Sequence, residues 1–292
     1  MRPWHRFSRF SSRYPSSPDR PRSETNRVWP GFPWTFFLGV IALSVPFWIL
    51  GGLTTARLMP GLPVSALMFS CTAFIACMFS ARTGGAHAVR RLLARSFDFR
   101  RIGSAVWFFP IVLLMPGVLI ASYAIMRVMQ LPLPEPEPEV PWSLIPVLFL
   151  LFFVAAAGEE LAWSATVLDP LQSRFGALRA ALIIGIVSAL WHVVPFAQEH
   201  PSVWWVSGQC LFTVTFRVVL VWLYNNTGRS VFATVVAHAM YNVAWQLFPN
   251  RASHYDPWIV AAITGLVALV VTLVWGAQTF SGRASTPSLK QM

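Results

Sequence analysis

The segment from Trp34 to Leu53 carries no charged side chain. It matches the roughly 20 residues with which an α-helix crosses about 30 Å of hydrocarbon, and stretches like it recur along the chain. Such a chain cannot hide its apolar surface in water. Of its 292 residues, 55% are hydrophobic and 11% charged, with a mean hydropathy of +0.57, against about 25% charged residues in a soluble domain. Lipid is therefore the solvent for most of the protein.

Apolar length and breakers predict an all-α polytopic membrane helical bundle of about eight transmembrane helices, near 33–53, 63–81, 105–126, 142–164, 177–196, 203–224, 230–248 and 257–277. Pro46, Pro110, Pro116 and Pro146 fall within these spans. Neighbouring helices and side chains can re-satisfy the carbonyls they free, so kinks are expected there. Trp34–Leu53 is longer than a signal-peptide core and lacks a small-residue cleavage site, so it is expected to be a retained first helix. Residues 1–30 hold seven Arg and have the composition of a disordered basic tail. The expected organisation is a cytoplasmic tail (1–30), a transmembrane domain (31–280) with a motif core near 145–247, and a second cytoplasmic tail (281–292).

The net charge of +11 does not point to nucleic acid, because the 22 basic residues lie between apolar segments instead of along one stripe. Eighteen of them fall on one set of alternate loops and tails, three (Arg57, Arg127, Arg251) on the other, and Arg217 falls inside the sixth span. Lys and Arg are retained on the inner side, so both termini are expected in the cytoplasm, in a multi-pass protein of a bacterial cell membrane. The Pro/Glu alternation from Leu131 to Glu139 favours a stiff, extended external loop. Cys71, Cys77 and Cys210 have neither zinc-like spacing nor the even count of a disulfide framework, and are expected to be small core residues.

Ionisable groups within a bilayer are costly unless paired or hydrated, so each is a functional candidate. Glu159 and Glu160 lie late in span four, His192 in span five, Arg217 in span six and His238 in span seven, with Asn242 one turn beyond on the same face. Adjacent glutamates diverge by about 100° around a helix, so only one can aim squarely into a shared pocket; Glu159 is expected to be that one. A carboxylate, two imidazoles and a carboxamide are the parts needed to activate a water and stabilise an oxyanion. The same parts could instead hold zinc through Glu159, His192 and His238, leaving a fourth position for the water. The residues alone leave both chemistries open, with no cofactor or with zinc. At 1.5 Å per residue the three groups converge only if helices four and five are tilted or offset, for example by helix four continuing toward Leu168.

These motifs resemble the CPBP intramembrane proteases, which include type II CAAX prenyl endopeptidases and bacteriocin-processing or immunity (Abi-like) proteins. That family carries Glu-Glu-x-x-x-Arg, Phe-x-x-x-His and His-x-x-x-Asn on successive helices. Here they appear as Glu159-Glu160, His192, and His238 to Asn242, followed over about residues 145–247 and joined by the family-like turn Trp222 to Ser230. Ser164 stands in place of the motif Arg and Ser188 in place of the motif Phe, with Trp191 an aromatic next to the His. The resemblance implies Glu159 as general base, His192 as its helper, His238 and Asn242 as oxyanion donors, and Glu160 as support. Either Arg217 supplies the missing charge, or the activity is altered.

The function expected is hydrolysis of a peptide bond in a membrane protein or lipidated peptide, within the lipid bilayer and with no nucleic-acid partner. Two other classes use the same residues differently. A catalytically altered relative serving as a scaffold or bacteriocin immunity factor would tolerate their replacement. A transporter would use them as a proton relay, but paired repeats with broken helices in corresponding halves are not seen in the sequence.

Overall fold

A computed structural model describes residues 33–134 and 142–281. The basic N-terminal tail, the Glu-bearing part of the Pro/Glu loop and the C-terminal tail beyond Ser281 lie outside the described residues. The helices are α1 (Trp34–Leu53), α2 (Phe69–Ala94), α3 (Phe108–Val128), α4 (Ile145–Ala162), α5 (Leu168–Phe175), α6 (Ala177–Glu199), α7 (Val203–Asn226), α8 (Val231–Leu247), the short α9 (Pro249–Ala252) and α10 (Pro257–Trp275). Two short strands, β1 (Arg57–Met59) and β2 (Leu62–Pro63), pair antiparallel between α1 and α2.

Seven helical stretches among the described residues are long and apolar enough to cross a membrane. The expected eighth, α8, has 17 residues. It belongs to the same helical bundle, packed against α3, α4 and α7. The most enclosed helix is α7: 61% of its apolar window is buried, against 22–44% in the other six. It packs on α6 and α10, while α4 packs on α2 and α8. Trp34, Trp142 and Trp204 are exposed at helix starts, as membrane-interface anchors are. Cys71, Cys77 and Cys210 are free thiols within the bundle.

Two local expectations are corrected. The span expected to end at residue 164 continues through a π-helical turn, Trp163–Val167, into α5 and on to Phe175. The Thr166 hydroxyl donates to the Leu161 carbonyl at 2.7 Å, and Pro170 cannot donate to the ladder just beyond, which suits a widened turn there. The span expected to end at residue 81 runs to Ala94, with its break at Gly84 (φ −158°, ψ 23°) and Gly85 (φ 60°, ψ −156°). Pro110 and Pro146 sit in first turns, where the missing N–H costs no helical bond, and Pro46 and Pro116 lie inside their helices.

Close approaches set the helix spacing around the glutamates. A Cβ on Gly158 would lie 2.9 Å from the Phe69 ring and 3.1 Å from the Phe69 carbonyl oxygen, and the Thr72 hydroxyl donates to the Gly158 carbonyl at 3.0 Å. Only a residue without a side chain lets α2 come so near α4. On the other side, Ser230 caps α8 by accepting from Ala233 N at 3.2 Å. Asp98, in the turn after α2, accepts from Ser230 Oγ at 2.8 Å and from Phe232 N at 3.0 Å. A carboxylate at a helix N-terminus satisfies free donors and complements the dipole.

Candidate active site

The four expected acid/base side chains form two pairs on three helices. Glu159 on α4 faces His192 on α6, with Oε1 3.8 Å from Nε2. Glu160 faces His238 on α8, with Oε1 3.0 Å from Nδ1. The extension of α4 makes this possible. Because the helical path runs on to Phe175, Glu159 lies about 24 Å from that end along the helix, in place of the few ångströms expected from a boundary at 164. The structure therefore brings Glu159 to His192 and Glu160 to His238.

The two carboxylates differ in surroundings. The Glu160 side chain is 0% exposed and fully engaged. Its Oε2 accepts from Arg217 Nη1 at 2.8 Å and from the Ser164 hydroxyl, and its Oε1 meets His238. The Arg217 side chain is itself 5% exposed. A buried carboxylate between a guanidinium, a hydroxyl and an imidazole is a satisfied ion pair, and removing any charged partner leaves an uncompensated charge. The Glu159 side chain retains 10% exposure. Its one hydrogen bond among the described residues is from Trp163 Nε1 to Oε2, at 3.4 Å.

His192 is held by its neighbours. Its Nδ1 donates to the Ser188 carbonyl at 2.8 Å, which leaves Nε2 directed at Glu159. Its ring stacks on Phe196 at 5.3 Å and meets Trp191 edge-on at 4.5 Å. Trp191 in turn packs on Trp163 at 5.9 Å and donates Nε1–H to Ser44 Oγ on α1 at 2.7 Å. Asn242 lies one turn beyond His238, partly buried, and its carboxamide makes no hydrogen bond among the described residues.

Three residues here were not singled out from the sequence: Trp163, Phe196 and Ser164 as a donor. Each stands four positions after a chemical group (Glu159, His192, Glu160), so one-turn spacing was the available signal. Among the described residues no three His, Cys, Asp or Glu side chains are placed to hold a metal ion. Glu159, His192 and His238 do not form such a group in this structure.

The family model of the Rce1-like type II CAAX prenyl endopeptidases matches residues 141–244. That range contains both glutamates, both histidines, Arg217 and Asn242. Over those residues the chain is similar to the Rce1-like family. A curated relative, CAAX prenyl protease 2 of Methanococcus maripaludis, is 28% identical over 138 residues, covering 44% of this chain and 49% of the relative. The chain thus spans about half the length of that relative. The Rce1-like family is one of proteases, and in this chain its matched segment holds the polar interior of the helical bundle.

Proposed function

We propose that this protein is an intramembrane endopeptidase in which Glu159 activates a water for attack on a peptide carbonyl. The observation that carries the reading is the division between the glutamates: Glu160 is buried and fully bonded, while Glu159 keeps partial exposure and a long, open contact to the His192 ring. A general base needs a lone pair within reach of a water, and Glu159 is the carboxylate that has one. His192 Nε2 shares that water. His238 is held through Nδ1 by Glu160, so its Nε2 is free to donate to the oxyanion together with the Asn242 carboxamide.

The substrate is a membrane-associated protein or peptide. Prenylated C-terminal peptides are the first class to offer, since a CAAX prenyl protease is among the relatives. Both termini face the cytoplasm, as the distribution of basic residues supports. The experiment is purification of wild type, Glu159→Ala and His238→Ala, each assayed on membrane-embedded and prenylated peptides with and without a chelator. The proposal expects cleavage by wild type, insensitive to the chelator, and its loss in both variants. Wild-type-like cleavage by either variant overturns the assigned roles.

A further inference from the structure

The family motif places an arginine four residues after the second glutamate, and here that position is Ser164, buried to 1% exposure. Ser164 has not been left idle, because its hydroxyl donates to Glu160 Oε2. The guanidinium that meets the same oxygen, at 2.8 Å, comes from Arg217 on another helix. We propose that Arg217 and Ser164 together are a transposed form of the motif arginine, and that Arg217 is a positioning residue that aims His238 through Glu160. This rests on the protease reading above.

A buried carboxylate needs a counter-charge, but the requirement is for charge at a place and not for charge on a particular helix. An arginine at 164 would reach Glu160 one turn away on its own helix path. Arg217 reaches it from α7, and the small serine leaves the room that the guanidinium fills. Gly185 on α6 completes the arrangement: a Cβ there would lie 3.2 Å from Arg217 Cβ and 3.0 Å from Val214 Cα. The glycine lets α6 press against α7 at the turn from which Arg217 departs.

The transposition changes what the ion pair connects. With α4 packed on α2 and α8, and α7 on α6 and α10, the Arg217–Glu160 pair joins the two sets. Glu160 then passes the constraint to His238 through its second oxygen. His192 stands on α6, which packs most closely on α7. The guanidinium thus ties Glu160, and through it His238, to α7, alongside the direct packing of α8 on α7.

The test is a four-member cycle of wild type, Ser164→Arg, Arg217→Ser and the double variant, each read by turnover and by thermal midpoint in detergent. Arg217→Ser leaves Glu160 without a counter-charge, and should lower kcat about 100-fold or more with KM within a few-fold, because misplacement by about an ångström has that effect on rate. Ser164→Arg crowds two guanidinia onto one carboxylate and should also be impaired. The double variant restores the composition and volume of the pair, and should recover turnover at least about tenfold over Arg217→Ser, with a midpoint near wild type. A folded double variant no better than the singles, or an Arg217→Ser variant with wild-type kcat and midpoint, overturns the proposal. If wild type cleaves no peptide offered, the protease reading fails, and the midpoints decide separately: recovery in the double variant supports the transposition, and additive losses overturn it.

Discussion

His238 Nδ1 lies 3.0 Å from Glu160 Oε1, and this contact divides the adjacent glutamates by task. Glu160 spends both oxygens on protein partners, whereas Glu159 keeps partial access to its surroundings. Substituting each by glutamine should separate these tasks. Glu160→Gln strands a buried Arg217 and should lower stability by about 3–5 kcal/mol, with activity lost as a consequence. Glu159→Gln breaks only long contacts, and should abolish cleavage while changing stability by about 1 kcal/mol or less. Thermal unfolding in detergent alongside the peptide assay checks both. Equal destabilisation by the two variants would contradict this division.

The packing around Arg217 leads to a second expectation. A side chain on Gly185 would meet the α7 backbone at Val214 at 3.0–3.2 Å, and backbone cannot yield as a flexible side chain does. Gly185→Val should force α6 from α7, destabilise by about 1–3 kcal/mol and reduce turnover by moving His192 away from Glu159. Gly265→Val is the control, since a Cβ at that position would meet only Thr215 Cγ2, at an ordinary 3.6 Å. Similar losses in both variants would contradict the close-approach argument.

Apolar length locates the helices well from sequence, because crossing hydrocarbon fixes element length whatever the tertiary contacts. The one-turn spacing of His238 and Asn242 follows from helical geometry alone; that each glutamate faces a histidine, with Glu160 the more buried, does not. Where α4 ends was not legible, since apolar length closes the span near residue 164 while the chain continues through a π-turn to Phe175. The β1–β2 ribbon gave no signal, because strands of three and two residues leave no periodicity. That Arg217 meets Glu160 could not be read from spacing, because a contact between helices depends on packing that only the fold supplies. Phe196 and Trp163 obey the i, i+4 rule but carry no charge to mark them.

Asp98 offers a test of how the α8 start is held. Its Oδ1 accepts from Ser230 Oγ and Phe232 N, and its Oδ2 lies 3.3 Å from Arg101 Nε and 3.6 Å from Arg95 Nε. Asp98→Ala should lower stability by about 1–2 kcal/mol through the lost cap. Cleavage should fall in proportion to the fraction unfolded at the assay temperature and recover on cooling, because His238 lies two turns into the helix. A loss of turnover that persists at low temperature would mean that Asp98 acts on the site itself.

A pH effect is expected from the turn between α6 and α7, outside the apolar spans. His200 stacks on Trp205 at a ring distance of 3.7 Å. Burial holds its pKa below the ordinary 6.5; nearby Glu199 pulls it up and Arg57 pushes it down, and burial prevails. A histidine with a depressed folded pKa binds fewer protons folded than unfolded, so stability rises with pH between the folded pKa and about 6.5 and is lost on acidification through that window. His200→Phe keeps the stacked ring and removes the proton. Its thermal midpoint should therefore fall less than that of wild type between pH 7.5 and 5.5, and identical slopes would contradict the assignment.

Asn242 gives the sharpest separation of chemistry from structure, because its carboxamide makes no hydrogen bond among the described residues while it lies one turn beyond His238. A group that waits for charge to develop stabilises the transition state more than the bound substrate. Asn242→Ala should therefore lower kcat and kcat/KM together by about 10²–10³-fold, leave KM nearly unchanged, and leave the thermal midpoint in place. Asn242→Asp should be worse, since a carboxylate would repel the oxyanion that the amide is proposed to bind. A rise in KM at constant kcat would move Asn242 from the transition state to ground-state binding, and His238 would then remain as the single proposed oxyanion donor.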